Sequence, residues 1–481
     1  MPEENAVTGH DRLAGGQRRR ALFLTTDFPP LAGTNTQRVL RLVSVLDEFG
    51  WDAEVVTLAI EDMPEIASSD LEGLPDTVRV TRIPSPDPFR RLARARGRRP
   101  VDRSRPGEGK AHRLVPNTDE TRSVQMGSRL FDWAKGPVGW ASRGLQWYLN
   151  HTSYIPDQHA PWARVAAREV ARRPRECMPD VVVTSCPSFS GHVAGLRIRR
   201  KSGLPWIADF RDLWTDRPYR RVASPLHGPL ERRLERQVFE RADRIVLASP
   251  GWIEHYQRKY GLLVEGKLVA LPAGFIRRNG FAKHAAGVSE KIRFVYTGAM
   301  FGAESPAPFL EALGRLLRRR PEYRERVDVR FFGYGGTETT RLLKLVREYE
   351  LGGIVAFNPP VPHAVCLREQ DEADVLLLFS GPLHLQTVRG KTFEYLSTGK
   401  PILAMIPLEG VQAAMLDSAG TALKVAHGDI SSAEAAIEKM IDDTARAGFK
   451  PDWPYINSFE RHEIAKRLVD LMEHLLRSRA A

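Results

Sequence analysis

Short, almost wholly apolar runs break off at Gly, Pro, Asp or Ser and hand over to helical spacing. They recur along this chain, and no other feature restricts its fold as tightly. A buried run of a few residues followed by an amphipathic helix is the repeating unit of a parallel sheet covered on both faces. The first set occupies residues 21–26 (ALFLTT), 54–58 (EVVTL), 180–185 (DVVVTS), 204–208 (LPWIA), 244–249 (RIVLAS) and 268–271 (LVAL). The pattern then restarts at 292–297 (IRFVYT), 327–332 (VDVRFF), 354–357 (IVAF), 374–379 (DVLLLF) and 401–405 (PILAM). Two such sets predict an α/β protein of two doubly wound, Rossmann-like domains, with a ligand in the cleft between the carboxyl ends of both sheets. A length of 481 residues independently asks for two domains of ordinary size.

The expected boundaries are a disordered start (1–18), a first domain (19–275), a polar, Gly-containing linker (276–290), a second domain (291–455) and a closing amphipathic helix (456–481). One segment of the first domain departs from the pattern. Between Arg90 and Arg113 basic residues crowd a stretch with few large apolar ones, read as an inserted loop over 86–120. Trp133, Trp140, Trp147 and Tyr148 follow, interleaved with Arg129, Lys135 and Arg143. This combination suits an anionic membrane surface or a long apolar acceptor, and equally suits aromatic packing between helices.

Charge points the same way. Lys and Arg number 71 against 59 Asp and Glu, a balance of +12 that favours an anionic partner. No recognised nucleic-acid-binding module accompanies it, so a nucleic-acid partner is not expected. Cys177, Cys186 and Cys366 show no CxxC spacing, which argues against a disulfide framework or structural zinc and for a reducing compartment. No run approaches the ~20 apolar residues of a membrane span. The expected location is cytoplasmic, or peripheral to the inner face of the plasma membrane.

The chemistry concentrates in residues 390–405 (GKTFEYLSTGKPILAM). Lys391 stands at a loop-to-helix junction, where free N–H groups already favour an anion. Glu394, one turn on, presents a carboxylate able to accept hydrogen bonds from a ribose diol. Cation, carboxylate and helix start together suit a nucleoside diphosphate; an ordinary αβ unit with solvated Lys and Glu is the competing reading. In the first domain, Gly33 and Thr34 lie where a ligand would meet the first strand, or form a plain turn. The signature GxGxxG is absent there, so a nicotinamide or flavin cofactor is not supported. His192, at a helix start, either orients a substrate hydroxyl or caps its helix. Asp209 and Arg211, with Asp212, are either an internal ion-pair lattice or part of a site.

In this order, residues 180–214, Tyr154-Ile155-Pro156-Asp157 with Trp162, and residues 391–401 resemble the retaining glycosyltransferases of family four, in the subgroup found in bacterial polysaccharide clusters. The resemblance covers nearly the whole chain. It implies the GT-B fold, two Rossmann-like domains facing across a cleft, with a nucleotide-sugar donor held mainly by the second and a glycan or lipid-linked acceptor at the first. Glu394 matches the second Glu of the family's Glu, seven residues, Glu motif, which binds the donor ribose. Gln386 replaces the first, which would touch the sugar hydroxyls. The Arg and Lys that usually hold the pyrophosphate from the first loop of the second domain are not evident between Gly298 and Pro308. Lys391 and Arg389 are therefore assigned as the phosphate cations. Thr392, Phe393, Gly298, Gly333 and Tyr334 line the expected donor pocket; His192, Asp209 and Arg211 are acceptor-side candidates. Neither a cofactor nor a metal is expected, because Lys and Arg neutralise the phosphates. A GT-B scaffold that has lost catalysis and serves as a partner subunit is the alternative.

Overall fold

The computed structural model describes residues 18–31, 34–63, 74–87, 154–217, 226–278, 291–300, 302–333, 335–442 and 448–480. The basic loop beyond residue 87, Trp133 to Tyr148, and linker positions 279–290 lie outside the described residues, as do Gly33 and Tyr334.

The apolar runs become two all-parallel sheets. The first contains β1 (Arg19–Leu24), β2 (Trp51–Leu58), β3 (Arg79–Ile83), β4 (Val181–Ser185), β5 (Trp206–Phe210), β6 (Arg244–Leu247) and β7 (Leu268–Ala270). Its order is β3-β2-β1-β4-β5-β6-β7, reversing direction between β1 and β4, where Phe23 pairs with Val183. The second contains β8 (Ile292–Thr297), β9 (Val327–Phe332), β10 (Val355–Asn358), β11 (Val375–Phe379), β12 (Ile402–Ile406) and β13 (Ala422–Ala426), in the order β10-β9-β8-β11-β12-β13. Strands covered on both faces, such as β4, β5, β11 and β12, are buried at every position, as their unbroken apolar sequences require. Sequence reading missed β3 and β13. Both are edge strands with charged residues among their apolar ones and half-exposed faces, so they lack the buried-run signal.

Helices α1 (Thr34–Val43), α2 (Ala160–Ala171), α3 (Ser190–Ser202), α4 (His227–Arg241) and α5 (Gly251–Tyr260) cover the first sheet. Gly195 lets α3 press flat against it: a Cβ there would lie 2.5 Å from the Trp206 indole. The second sheet carries α6 (Ala307–Arg319), α7 (Thr339–Glu348), α8 (His363–Glu372), α9 (Gly390–Leu396), α10 (Val411–Ala419), α11 (Ile430–Ile441) and α12 (Trp453–Asn457). The closing helix α13 (Arg461–Ala480) packs back onto the first domain. Ile464, Leu468 and Met472 share a core with Val39, Leu42 and Val43 of α1. The chain thus crosses between domains twice, at Phe275 and Glu460, which form a parallel bridge. Gly274, at φ 66°, admits this crossing: a Cβ there would lie 2.6 Å from the Phe459 carbonyl.

Candidate functional site

The carboxyl end of β8 and the start of α9 build the floor of the site. Arg389, extended at φ −70° and ψ 137°, caps α9 and puts Lys391 in its first turn, facing the β8 exit. The Lys391 ammonium donates to the Tyr296 hydroxyl at 2.6 Å and to Glu304 Oε2 at 2.9 Å, and stands 4.2 Å over the Tyr296 ring. Arg389 Nη2 pairs with the other oxygen of the same carboxylate, Oε1, at 3.1 Å. Arg389 Nε is buried without a hydrogen-bond partner among the described residues. Gly298, at φ 129°, makes room for the lysine, since a Cβ there would lie 2.6 Å from Lys391 Nζ. Gly333 backs onto the Gly298 carbonyl. Burial opposes the charge on Glu304, yet Lys391 and Arg389 hold its carboxyl below the usual range; burial likewise pulls the Lys391 pKa down, against the raising effect of Glu304.

Glu394 sits at the boundary of the two domains. Its Oε1 accepts from Arg41 Nη2 at 2.8 Å and from His363 Nε2 at 3.1 Å. Arg41 belongs to α1 of the first domain and fixes its other arm on the Gly274 carbonyl at 2.7 Å. Burial would raise the Glu394 pKa, but the His363 bond and the Arg41 charge prevail and hold it at about 2. Both bonds end on Oε1, and Oε2 carries neither.

Several first-domain candidates are placed away from open space. Asp209 is buried, and its partner is Arg38 rather than Arg211. Arg38 donates to its two oxygens at 2.9 and 2.6 Å and binds the Leu271 and Pro272 carbonyls, while Ser185 adds a bond at 2.8 Å. This is the internal lattice, held below the usual carboxylate range by Arg38 despite burial, and it ties β5 to the start of the interdomain crossing. His192 is fully buried in α3, its Nδ1 paired with Thr184 Oγ1 at 2.8 Å and its ring 4.3 Å from that of Phe210. Burial pushes its pKa down to about 3, so it is a neutral core histidine, and its Nε2 has no hydrogen-bond partner among the described residues. Arg211 bonds Cys186 Sγ through its amide, and its Nη1 is buried without a partner among the described residues. Phe393 packs edge-on against Phe459 at 5.3 Å in the second core, and Thr392 is fully buried, its hydroxyl without a hydrogen-bond partner among the described residues. Thr34 opens α1.

The two halves meet at the site. Ser249 Oγ donates to the Gln386 carbonyl at 2.5 Å, and the first residue of α5, Gly251, lies so close that a Cβ would be 3.0 Å from Gln386 Cβ. Asp212, at the exit of β5, has its pKa raised by its crowded surroundings and drawn back by Arg211, Arg217 and the second-domain Arg389. Lys391, Arg389, Glu304, Gln386 and Glu394 therefore line the seam between the carboxyl ends of both sheets. Sequence reading missed Arg41, Arg38, His363, Tyr296 and Glu304. For Glu304 a signal was present: it is the one acidic residue between Gly298 and Pro308, where the resemblance implies cations.

Residues 33–274, half of the chain, match the profile of the glycosyl transferase 4-like domain. No curated protein matches the chain. Among solved structures, sucrose-phosphate synthase from Thermosynechococcus elongatus aligns at 16% identity and TM-score 0.57, over 96% of this chain and 100% of that one. HepE from Anabaena, in complex with UDP and glucose, aligns at 12% identity and TM-score 0.59, over 95% and 100%. The α,α-trehalose 6-phosphate synthase of Burkholderia multivorans aligns at 12% identity and TM-score 0.57, over 96% and 98%. At these identities the structural likeness establishes the shared two-domain GT-B fold.

Proposed function

This chain belongs to the glycosyl transferase 4-like family and is a glycosyltransferase; from that premise we propose that it moves a hexose from a nucleoside-diphosphate sugar to a glycan or lipid-linked acceptor. In this reading transfer retains the anomeric configuration and needs no metal ion. The observation that carries it is the convergence of Lys391 and Arg389 on one anion at the interdomain seam, with the Glu394 carboxylate in the same helix. HepE, solved with UDP and glucose on a similar fold, supports a nucleoside-diphosphate donor.

Lys391 and Arg389 would hold the diphosphate, and Glu394 Oε2 would accept from the ribose diol while Oε1 stays anchored. The Gln386 amide, able both to donate and to accept, would meet the sugar hydroxyls. The acceptor oxygen attacks the anomeric carbon on the face the nucleotide leaves, through an oxocarbenium-like state. The bond to the diphosphate oxygen breaks, and that departing phosphate takes the acceptor's proton. The protein contributes fixed positive charge where negative charge develops, and exclusion of water as the domains close about the crossings at Phe275 and Glu460.

A panel of UDP-, GDP-, ADP- and TDP-hexoses, scored for product in the presence of EDTA, tests this. Transfer should occur with one donor and be lost in Glu394→Ala and Lys391→Ala; a folded protein active with none would overturn it. A second reading, a binding scaffold without catalysis, draws on Gln386 and on the carboxylate already paired with both cations. It expects a nucleotide-induced thermal shift without product. For the acceptor side we propose an anionic membrane contact through the basic run Arg90 to Arg113 and the aromatic residues Trp133 to Tyr148. Liposome flotation unchanged by deleting residues 88–113 would count against the basic run. Among the described residues no helix is long and apolar enough to cross a membrane.

A further inference from the structure

Glu304 is anomalous in a site read as a phosphate cradle, because it places a carboxylate where the donor's charge should go. We infer that the Glu304 carboxylate stands in for the donor's diphosphate in the unliganded site, so that a ligand reaches Lys391 and Arg389 only by displacing it. Glu304 then acts as a specificity-determining residue favouring ligands with two adjacent phosphates over those with one. The inference rests on the donor-site reading above.

Geometry supports the substitution. Glu304 uses one oxygen for each cation, Oε1 for Arg389 at 3.1 Å and Oε2 for Lys391 at 2.9 Å. Two oxygens of one anion bridging two separate cations is the pattern that the outer oxygens of a diphosphate would reproduce. Charge argues the same way. Glu304 is the carboxylate paired directly with both cations, and a diphosphate entering beside it in its ionised form would set like charges at close range in a half-buried site. Arg389 also keeps an unsatisfied donor, the buried Nε, which Glu304 does not reach.

The displacement needs only a side-chain rotation. Glu304 ends the short turn Gly302–Glu304, and the next residue is anchored, Ser305 Oγ donating to Glu338 Oε1 at 2.9 Å. Tyr296 remains as a neutral neighbour, its hydroxyl already bonded to the Ala299 carbonyl. A single phosphate offers less charge and fewer oxygens with which to replace the two charge-assisted contacts of Glu304. A diphosphate replaces both and adds to them. That difference is the proposed source of selectivity.

The competing role is that Glu304 merely holds Lys391 and Arg389 in position, and the two roles differ in sign. If Glu304 competes, Glu304→Gln tightens anion binding; if it only positions, the same change weakens it. Isothermal titration of the full-length protein with UDP, GDP, ADP, TDP, the matching monophosphates and inorganic pyrophosphate reads this directly. Glu304→Gln should bind the preferred nucleoside diphosphate about tenfold tighter than wild type, as expected when a charge-assisted contact no longer competes. The monophosphate should gain more, so that the diphosphate-to-monophosphate ratio shrinks. Equal or weaker diphosphate binding, with Lys391→Ala still abolishing it in the wild-type background, overturns the role of Glu304 and leaves the donor site standing. Absence of binding by wild type and Glu304→Gln alike, pyrophosphate included, overturns the donor site and this inference together. Should Glu304→Gln fold poorly, Glu304→Asp keeps the charge on a shorter arm. An intermediate gain then supports displacement, and a loss refutes it.

Discussion

Arg41→Ala separates the two jobs assigned to Glu394, joining the domains and receiving a ribose. In the folded protein the Glu394 carboxyl is held at about 2 against an ordinary 4.5. At about 1.4 kcal/mol per unit, the folded state favours the ionised form by roughly 3 kcal/mol. That preference is shared by His363 and Arg41, and the His363 ring is the more exposed partner. Arg41 also bonds the Gly274 carbonyl at 2.7 Å. Removing it should therefore cost about 2–3 kcal/mol of stability, read as a lower urea midpoint. A depressed carboxyl contributes stability that is fully present above pH 4.5 and is lost as pH falls towards 2. Arg41→Ala should flatten that acid limb, because the Glu394 pKa moves back part of the way. For binding, losing one of the two donors to Oε1 leaves only the His363 bond and lets the carboxylate turn from the ribose. Nucleoside-diphosphate affinity should fall by about tenfold while pyrophosphate affinity stays unchanged. Titration calorimetry with both ligands decides. Equal losses for the two, or no loss for the nucleotide, would refute the division of labour between the carboxylate's oxygens.

Asp209→Ala leaves Arg38 buried without its counter-charge, so about 3–5 kcal/mol of stability should disappear in chemical denaturation; a loss below 1 kcal/mol would show that the lattice is not structural. His192 is neutral when folded and titrates at about 3 against an ordinary 6.5, so the unfolded chain gains protons first as pH falls and stability drops between those values. His192→Gln should remove roughly 5 kcal/mol of that acid sensitivity in pH-dependent unfolding. The activity profile of the wild type should show no limb from this residue. Gly298→Ala places a Cβ 2.6 Å from Lys391 Nζ on a backbone at φ 129°; diphosphate binding should weaken at least about tenfold, with a stability loss of about 1–2 kcal/mol in the same thermal scan.

The two sheets were legible because their central strands are buried on both faces, a condition that forces unbroken apolar runs such as Val181–Ser185 and Ile402–Ile406. β3 and β13 were not, because an edge strand needs only one apolar face and tolerates Arg79, Arg82 and Lys424. Lys391 and Glu394 could be singled out because a loop-to-helix junction is local and their spacing sets them on one turn. Their partners could not. Arg41 is 353 residues from Glu394 in the chain, and Arg38 is 171 from Asp209. Nothing in the local pattern distinguishes these two arginines on α1 from the many solvated ones. His192 was misplaced for a related reason: a helix-starting histidine looks polar in sequence, and only the aromatic cluster of Phe189, Phe210 and Trp214 around it makes it a core residue.

The charge distribution of the donor floor also explains why its cations were hard to recognise. The resemblance implies basic residues at the β8 exit, and the structure has a carboxylate there, Glu304, with the cations facing it from the same domain at Arg389 and Lys391. What such a site needs is positive charge at the diphosphate position, and the strand from which it projects is secondary to where it ends. Moving the cations to α9 and the residue before it sets them within five residues of Glu394, so ribose and phosphate contacts are carried by one short segment packed on the second core through Phe393 and Tyr395. Two buried cations on one short segment repel each other unless an anion sits between them. With no donor bound, the protein must supply that anion itself, and the β8 loop, directly opposite, is where a carboxylate can do so. The acid at position 304 and the cations at 389 and 391 are then one arrangement. Changing Glu304 alone should raise affinity at a cost in unliganded stability, two shifts of opposite sign from a single side chain.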